Sequence, residues 1–257
     1  MQKKSALVTG ANSGIGKVIV SSLARAGYDV ALNFKVDAAG AERIARELGE
    51  QSRGRVISVY ADVGNRKDVD DMFGKVIDQF GRLDALVNNA GVQVSKPLLE
   101  LDESEWDLII NTNLKGCFLC TQGAARHMKE TGSGVIVNIG SGCNKVPFPN
   151  LSAYTASKGG IEMFTRCAAL ELGPLGIRVN CVAPGAIDTD RTRLEMADFA
   201  KAWAQITPLR RIGTAEDIAA AVEFLLSEKA SFISGQTLWV DGAVFTQPRW
   251  ATSDATE

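Results

Sequence analysis

Short apolar runs alternate with stretches of helical periodicity along most of the chain. Ser5 to Thr9, Tyr28 to Phe34, Arg55 to Tyr60, Leu83 to Asn88 and Gly134 to Ile139 are apolar runs of strand length, each bounded by turn-forming residues. Between them apolar residues return every three or four positions. Val18, Ile19, Leu23 and Ala26 mark the first such stretch, followed by Ala38 to Glu50, Arg66 to Phe80 and a long one from about Ser104 to Lys129. Repeated strand and helix units of this kind predict parallel strands joined by crossover helices. Because those crossovers are right-handed almost without exception, helices are expected on both faces of the sheet. With Leu238 to Val240 as the closing strand, the pattern predicts a Rossmann-type, doubly wound α/β sheet of about seven parallel strands. Ligands of such sheets bind at the carboxyl ends of the strands.

Two stretches depart from the alternation. Asn111-Thr112-Asn113-Leu114-Lys115-Gly116 interrupts the long helical stretch with residues that form helices poorly, which predicts a kink there, with water satisfying the freed backbone. Ala186 to Arg211 lacks glycine, and Phe199, Trp203 and Ile206 fall at helical spacing. They predict a short amphipathic helix that is either a lid over the active site, spanning about 186–213, or a passive apolar stripe on the domain. Thr214, followed by Glu216 and Asp217, is the N-cap of the last helix.

The chain has 257 residues, of which 46% are hydrophobic and 23% charged, enough for one large core and unlike a disordered chain. No linker marks a second core, so residues 1–257 are expected to form a single domain, with a C-terminal tail at 243–257. The net charge of −2 comes from 28 basic and 30 acidic residues dispersed through the sequence. That balance argues against nucleic acid as a partner. The apolar run after Lys3-Lys4 is too short for a signal peptide, and no membrane span is expected. Five cysteines without an export signal suggest free thiols in the cytoplasm. Cys117 and Cys120 form a C-x-x-C in a helical stretch with no second ligand pair, so they are expected to pack rather than bind metal. A single histidine, His127, leaves no basis for a histidine triad or a zinc cluster.

Candidate chemistry gathers at the predicted carboxyl ends of the strands. Gly10-Ala11-Asn12-Ser13-Gly14-Ile15-Gly16 joins the first strand to a helix; such a turn lets backbone amides approach a pyrophosphate at a helix N-terminus. Its G-x-x-x-G-x-G spacing departs from the commoner G-x-G-x-x-G. The second strand ends at Asn33-Phe34-Lys35, where an acid would indicate NAD. Lys35 instead suits the 2′-phosphate of NADP, although it also reads as a solvated loop lysine. Asp62, after the third strand, is placed to accept from an adenine amino group or to cap the next helix. Asn88-Asn89-Ala90-Gly91 follows the fourth strand. Ser141 follows the fifth, thirteen residues before Tyr154. Tyr154 and Lys158 lie four residues apart, one turn along a shared helix face. A phenol is a poor proton donor and acceptor at neutral pH, and a neighbouring cation favours its charged form.

These motifs together resemble the short-chain dehydrogenase/reductase family over essentially the whole stretch from Ser5 to Gly242. Thr9 to Gly16, Asn88-Asn89-Ala90-Gly91, Asn113, Ser141, Tyr154 with Lys158, and Pro184-Gly185 occur in the family's order and spacing. Ser157-Lys158-Gly159-Gly160, Gly176-Ile177-Arg178-Val179-Asn180 and Pro184-Gly185-Ala186-Ile187-Asp188-Thr189 are most similar to bacterial glucose 1-dehydrogenases and 3-oxoacyl-acyl-carrier-protein reductases. Asp241-Gly242-Ala243 departs from the usual Asp-Gly-Gly.

The resemblance implies a dinucleotide cofactor, NADP(H) preferred and NAD(H) possible. It would be held by Gly10, Asn12, Ser13, Gly14, Ile15 and Gly16, by Lys35, Asp62 and Val63, by Asn89, Ala90 and Gly91, and by Tyr154 and Lys158. Pro184, Gly185, Ile187 and Thr189 would complete that site. It also implies that Tyr154 exchanges a proton with the substrate oxygen, Ser141 holds that oxygen, Lys158 supports Tyr154 and binds the nicotinamide ribose, and Asn113 anchors a proton-relay water. Gln93, Val94, Cys143, Asn144, Phe148 and Asn150 are the expected substrate pocket. They mix polar and apolar character and fit a sugar-type substrate or a ketone.

Two alternatives accompany this reading: an acyl-carrier-protein-linked 3-oxoacyl reductase, for which Arg126, Lys129, Arg191 and Arg193 would supply a basic docking patch, and a catalytically silent dinucleotide sensor. A homotetramer is implied as well. Cys117, Phe118, Thr121, Met163, Phe164, Cys167 and Leu170 would form its helix bundle, and a tail bearing Phe245, Pro248 and Trp250 would lie on a neighbour.

Overall fold

The computed structural model describes residues 3–195 and 198–246. Seven parallel strands form its sheet: β1 (Ser5–Val8), β2 (Asp29–Phe34), β3 (Val56–Tyr60), β4 (Ala85–Asn88), β5 (Gly134–Ile139), β6 (Ile177–Pro184) and β7 (Thr237–Val240). They lie in the order β3-β2-β1-β4-β5-β6-β7. The helices are α1 (Gly14–Arg25), α2 (Ala38–Glu50), α3 (Arg66–Phe80), α4 (Glu103–Ile109), α5 (Gly116–Thr131), α6 (Ser152–Leu172), α7 (Asp190–Glu195), α8 (Phe199–Ile206) and α9 (Ala215–Leu226).

Alternation along the strands divides the core in two. In β1, Ala6 and Val8 join a layer with Ile19 and Leu23 of α1, Ile44 of α2, and Ile218, Val222 and Leu225 of α9. Leu7 faces the other way, toward Met72 and Phe73 of α3, Leu119 and Met128 of α5 and Ala168 of α6. Side chains of successive strand residues point to opposite faces, so a sheet buried on both faces reads as continuous apolar runs. This is why β1, β2 and β4 read as strands in the sequence.

The sheet order reverses beside β1, which pairs with β2 on one side and β4 on the other. The loops leaving β1 and β4 therefore diverge and open a crevice between them. The expected kink before α5 is a π-helical turn over Ile110–Lys115, in which the Gly116 amide donates to the Asn111 carbonyl. The expected last-helix cap also forms: Thr214 accepts from the Asp217 amide, and Asp217 returns the bond to the Thr214 amide at 2.8 Å.

Two packing expectations are corrected. Cys117 and Thr121 belong to the subunit's own interior, at 5% and 3% exposed, because α5 turns them toward β4, where the Asn88 side chain donates to Thr121 Oγ1. Phe245 packs within its own chain, as described below; Pro248 and Trp250 lie outside the described residues.

Candidate active site

The glycine turn is built from its neighbours' polar groups. Thr9 Oγ1 accepts from the amides of Asn89 and Ala90, both at 3.0 Å. Asn89 Nδ2 donates to the carbonyls of Thr9 and Gly10 at 2.9 Å, while Asn33 Oδ1 accepts from the Gly10 amide. Gly10 has φ +58°, and a Cβ there would come within 2.7 Å of the Ala90 Cα. Only glycine permits both this backbone conformation and this approach of β1 to β4. Gly14 also has positive φ, +52°, but faces open space. Ser13 caps α1 with no side-chain bond to its first turn, and that turn carries no acid. The first amides of α1 thus remain available to a phosphate, with the helix dipole oriented to favour it. This cradle fits a dinucleotide. Asn12 ties the turn to β2 by donating to the Val36 carbonyl at 3.0 Å.

At the ends of β2 and β3, Lys35 Nζ lies 2.7 Å from Asp62 Oδ2, so these two sequence-predicted residues are brought together. Burial works to raise the Asp62 carboxyl, but hydrogen bonds from Lys35 and the Gly64 amide outweigh it and hold the group below its ordinary value. The helix cap next to Asp62 is Asn65, which accepts from the Lys67 and Asp68 amides. A cavity of about 440 Å³ opens beside the pair, lined also by Arg66, Asn111 and Lys115. Lys115 escapes sequence reasoning because it belongs to a distant helical segment whose approach only the fold creates, and Arg66 because the first residue of a helix carries no signal of the cavity it lines. Val63 is buried and stands against Gly116.

The second half of the crevice holds the candidate chemistry. Lys158 is 4% exposed; its ammonium donates to the Ile139 carbonyl at 2.7 Å and lies 5.6 Å from the centre of the Tyr154 ring. One helical turn of α6 sets this pair, and the end of β5 supplies the carbonyl that aims the lysine. Ser141, two residues past β5, caps a short 3-10 turn over Gly142–Asn144. Its hydroxyl accepts from the Cys143 amide at 3.2 Å, and its own amide donates to Asn144 Oδ1. Asn144 therefore supports Ser141 from beneath, and its other side-chain contact is to Cys181 Sγ.

Asn113 sits in the π-helical turn, 1% exposed. Its side chain accepts from the Val92 amide at 2.8 Å and donates to the Val92 carbonyl and to Ser157 Oγ. Ser157 in turn donates to the Tyr154 carbonyl at 2.7 Å. Asn113 thus clamps the loop after β4 to the tyrosine helix. Ser157 was invisible as a site residue in the sequence, since a serine inside a helix carries no signal of its partner. A Cβ on Gly91 would lie 3.4 Å from Asn113 Oδ1 and 3.8 Å from Lys158 Nζ, so the loop, the clamp and the lysine meet at one point. Nearby thiols are inert: burial pushes Cys117 up to about 12 despite the charge of Lys158, and burial also raises Cys143.

At the end of β6, Gly185 packs so closely that a Cβ would meet the Asp241 Cα at 2.7 Å. Ile187 is buried in the core and bridges to Gly213, while the hydroxyl of Thr192 donates to the Ile187 and Thr189 carbonyls. Gln93 and Val94 are half-buried in the loop after β4. Asn150 has φ +64° and accepts the Lys96 amide at 2.9 Å, which joins the two loops flanking the crevice. Phe148 stands with Trp203 and Phe245.

The basic residues named for a docking patch do not converge. Arg126 and Lys129 lie toward the end of α5 that leads into β5, opposite the crevice, and Arg193 is paired with Asp188 at 2.8 Å.

Residues 10–244 match a family model described as enoyl-(acyl carrier protein) reductase. A 3-oxoacyl-[acyl-carrier-protein] reductase of Staphylococcus aureus is 42% identical over 245 residues, covering 94% of this chain and 98% of its own. The (2S)-[(R)-hydroxy(phenyl)methyl]succinyl-CoA dehydrogenase subunit of Thauera aromatica is 41% identical, covering 94% of this chain and 96% of its own. Among solved structures, a gluconate 5-dehydrogenase from Burkholderia cenocepacia in complex with NADP and tartrate superposes with TM-score 0.90 at 31% identity, covering 96% of this chain and 97% of that one.

Proposed function

The chain belongs to the short-chain dehydrogenase/reductase family, and from that membership we propose that it is an NADP(H)-preferring oxidoreductase interconverting a secondary alcohol and a ketone. The observation that carries this reading is the convergence of Ser141, Tyr154, Lys158 and Asn113 on the crevice that also holds the glycine turn. When bound, the dinucleotide supplies or receives the hydride. Ser141 holds the substrate oxygen, and Tyr154 gives it a proton in reduction or takes one in oxidation. Lys158, fixed by the Ile139 carbonyl beside the Tyr154 ring, would hold the nicotinamide ribose. Asn113 spends its side chain on Val92 and Ser157, so the relay water assigned to it falls to its backbone carbonyl. Pro184, Gly185, Ile187 and Thr189 would hold the same end of the cofactor, with the segment of about 186–213 as the expected lid.

Oxidation of a sugar-type substrate, as in a glucose 1-dehydrogenase, and reduction of a 3-oxoacyl group on acyl carrier protein are narrower forms of this chemistry. The second is favoured by the 42% identity to the Staphylococcus aureus reductase, and opposed by the separation of the basic residues that would dock the carrier. Assaying purified protein with NADPH against aryl and alkyl ketones and acetoacetyl-CoA, and with NADP⁺ against glucose, tests the proposal. Loss of NADPH absorbance with a carbonyl substrate supports it, and silence across the panel refutes it.

NADP preference rests on Lys35. A 2′-phosphate would compete with Asp62 for its ammonium, and the charge of Lys115 acts in the same region. Lys35→Asp is expected to weaken NADP by about 1–3 kcal/mol and to shift preference toward NAD. An unchanged ratio of kcat/KM for the two cofactors would reject the assignment.

A homotetramer is supported by what α5 and α6 leave uncovered. Phe118, Met163 and Leu170 are 41%, 57% and 79% exposed, and Phe118 stacks edge-on to Phe164, giving an apolar stripe that a second copy would cover. Light scattering at micromolar concentration should return four times the chain mass; a monomer mass would reject it. Among the described residues no helix is long and apolar enough to cross a membrane. The five cysteines are free, which supports a reducing, cytoplasmic setting.

A further inference from the structure

Resting on the alcohol and ketone chemistry above, we propose that the substrate carries an aromatic ring, and that Phe148, Phe199, Trp203 and Phe245 form the wall that receives it. Three separate segments supply these side chains: the loop after β5, the helix α8 and the turn after β7. Phe148 lies 6.1 Å from Trp203 and 5.8 Å from Phe245, ring centre to ring centre. Trp203 lies 6.0 Å from Phe199 and 6.2 Å from Phe245. The rings meet tilted or edge to face, the arrangement that aromatic quadrupoles favour and that a further ring can extend.

The wall stands at the reacting centre. A Cβ at Gly142 would clash with the edge of the Phe245 ring, so this ring rests on the residue next to Ser141. The turn after β7 puts it there. Ala243, which stands where the family resemblance leads one to expect glycine, has φ +70°, a conformation that residues with a Cβ rarely adopt. Asp241 holds the strained turn by accepting from the Ala243 amide at 2.8 Å and the Phe245 amide at 3.3 Å.

A cluster serving only stability would be sealed. Here all four rings are partly accessible, and α8 buries no residue fully. A sugar would need several polar partners for its hydroxyls. The wall instead offers ring faces and, next to Ser141, the buried Cys143. A planar apolar group matches such a surface.

The test compares acetophenone with 2-butanone and acetoacetyl-CoA as substrates for NADPH-dependent reduction, in the full chain and in Phe245→Ala and Trp203→Ala. In each reduction the carbonyl carbon gains hydride, its oxygen gains a proton, and NADPH leaves as NADP⁺. The proposal expects acetophenone to have the highest kcat/KM, and each variant to lower its ratio to 2-butanone by about tenfold or more, with NADPH affinity retained. Phe245→Leu and Trp203→Leu, which keep apolar volume, should lose the ring preference in the same direction. Reduction with no ring preference, or an unchanged ratio in all four variants, overturns the aromatic substrate and leaves the oxidoreductase reading standing. No turnover of any substrate in the wider panel overturns both.

Discussion

Tyr154→Phe is expected to bind NADPH as the parent protein does and to lose nearly all turnover, by about 10²–10⁴-fold or more in kcat. The phenyl ring keeps its place on α6, because among the described residues no hydrogen bond holds the phenol oxygen: the bonds organising this turn run from Ser157 to the Tyr154 carbonyl and from Asn113 to Ser157. Only the proton-transferring oxygen is removed. The effect should fall on kcat, since the group acts as the substrate oxygen changes charge, and steady-state kinetics with NADPH titration separates the two. Retention of most activity would remove Tyr154 from the mechanism.

Lys158→Met is expected to be nearly as damaging to turnover while sparing the fold. Lys158, at 4% exposure, is held by the Ile139 carbonyl beside the Tyr154 ring and has no carboxylate partner among the described residues. A buried cation of this kind is costly to keep, and an apolar residue of similar length is often neutral or stabilising in its place. Against that, the Ile139 carbonyl loses its donor, a cost of about 1–3 kcal/mol. The melting temperature should therefore move little, while kcat falls by about two orders of magnitude or more and dinucleotide affinity declines. A variant that unfolds, or that melts normally with full activity, would contradict the assignment of this lysine to chemistry.

Much of this arrangement could be read from residue order. β1, β2, β4 and β5 announce themselves because a doubly covered sheet requires continuous apolar runs, and Gly10 to Gly16 announces the turn because only glycine tolerates φ +58° against Ala90. β6 (Ile177–Pro184) shows in the sequence only as a motif without strand bounds: Arg178 and Asn180 break its apolar run, yet both fold their polar ends onto the Ile233 carbonyl. What escaped the sequence depends on long-range contact. Ser157 and Asn33 look ordinary until their partners, 44 and 23 residues away, are in place. Phe245 followed a departure from the familiar Asp-Gly-Gly and read as tail surface for a neighbour. The strained turn at Ala243 carries it back over Gly142 of its own chain. The basic residues separate for a related reason: α5 spans the sheet and carries Arg126 away from the carboxyl ends of the strands, near which Arg191 lies on α7.

The central claim is that this crevice moves hydride between a nicotinamide and a carbinol carbon under the control of Tyr154. The most direct measurement uses NADPH carrying deuterium at the transferable position of its nicotinamide ring, with a ketone that the enzyme reduces, and reads the product alcohol by mass spectrometry. The account predicts one deuterium on the carbinol carbon with the parent protein and almost no labelled alcohol with Tyr154→Phe, although that variant still binds the cofactor. Alcohol formed without label, or equal labelled product from Tyr154→Phe, would contradict it.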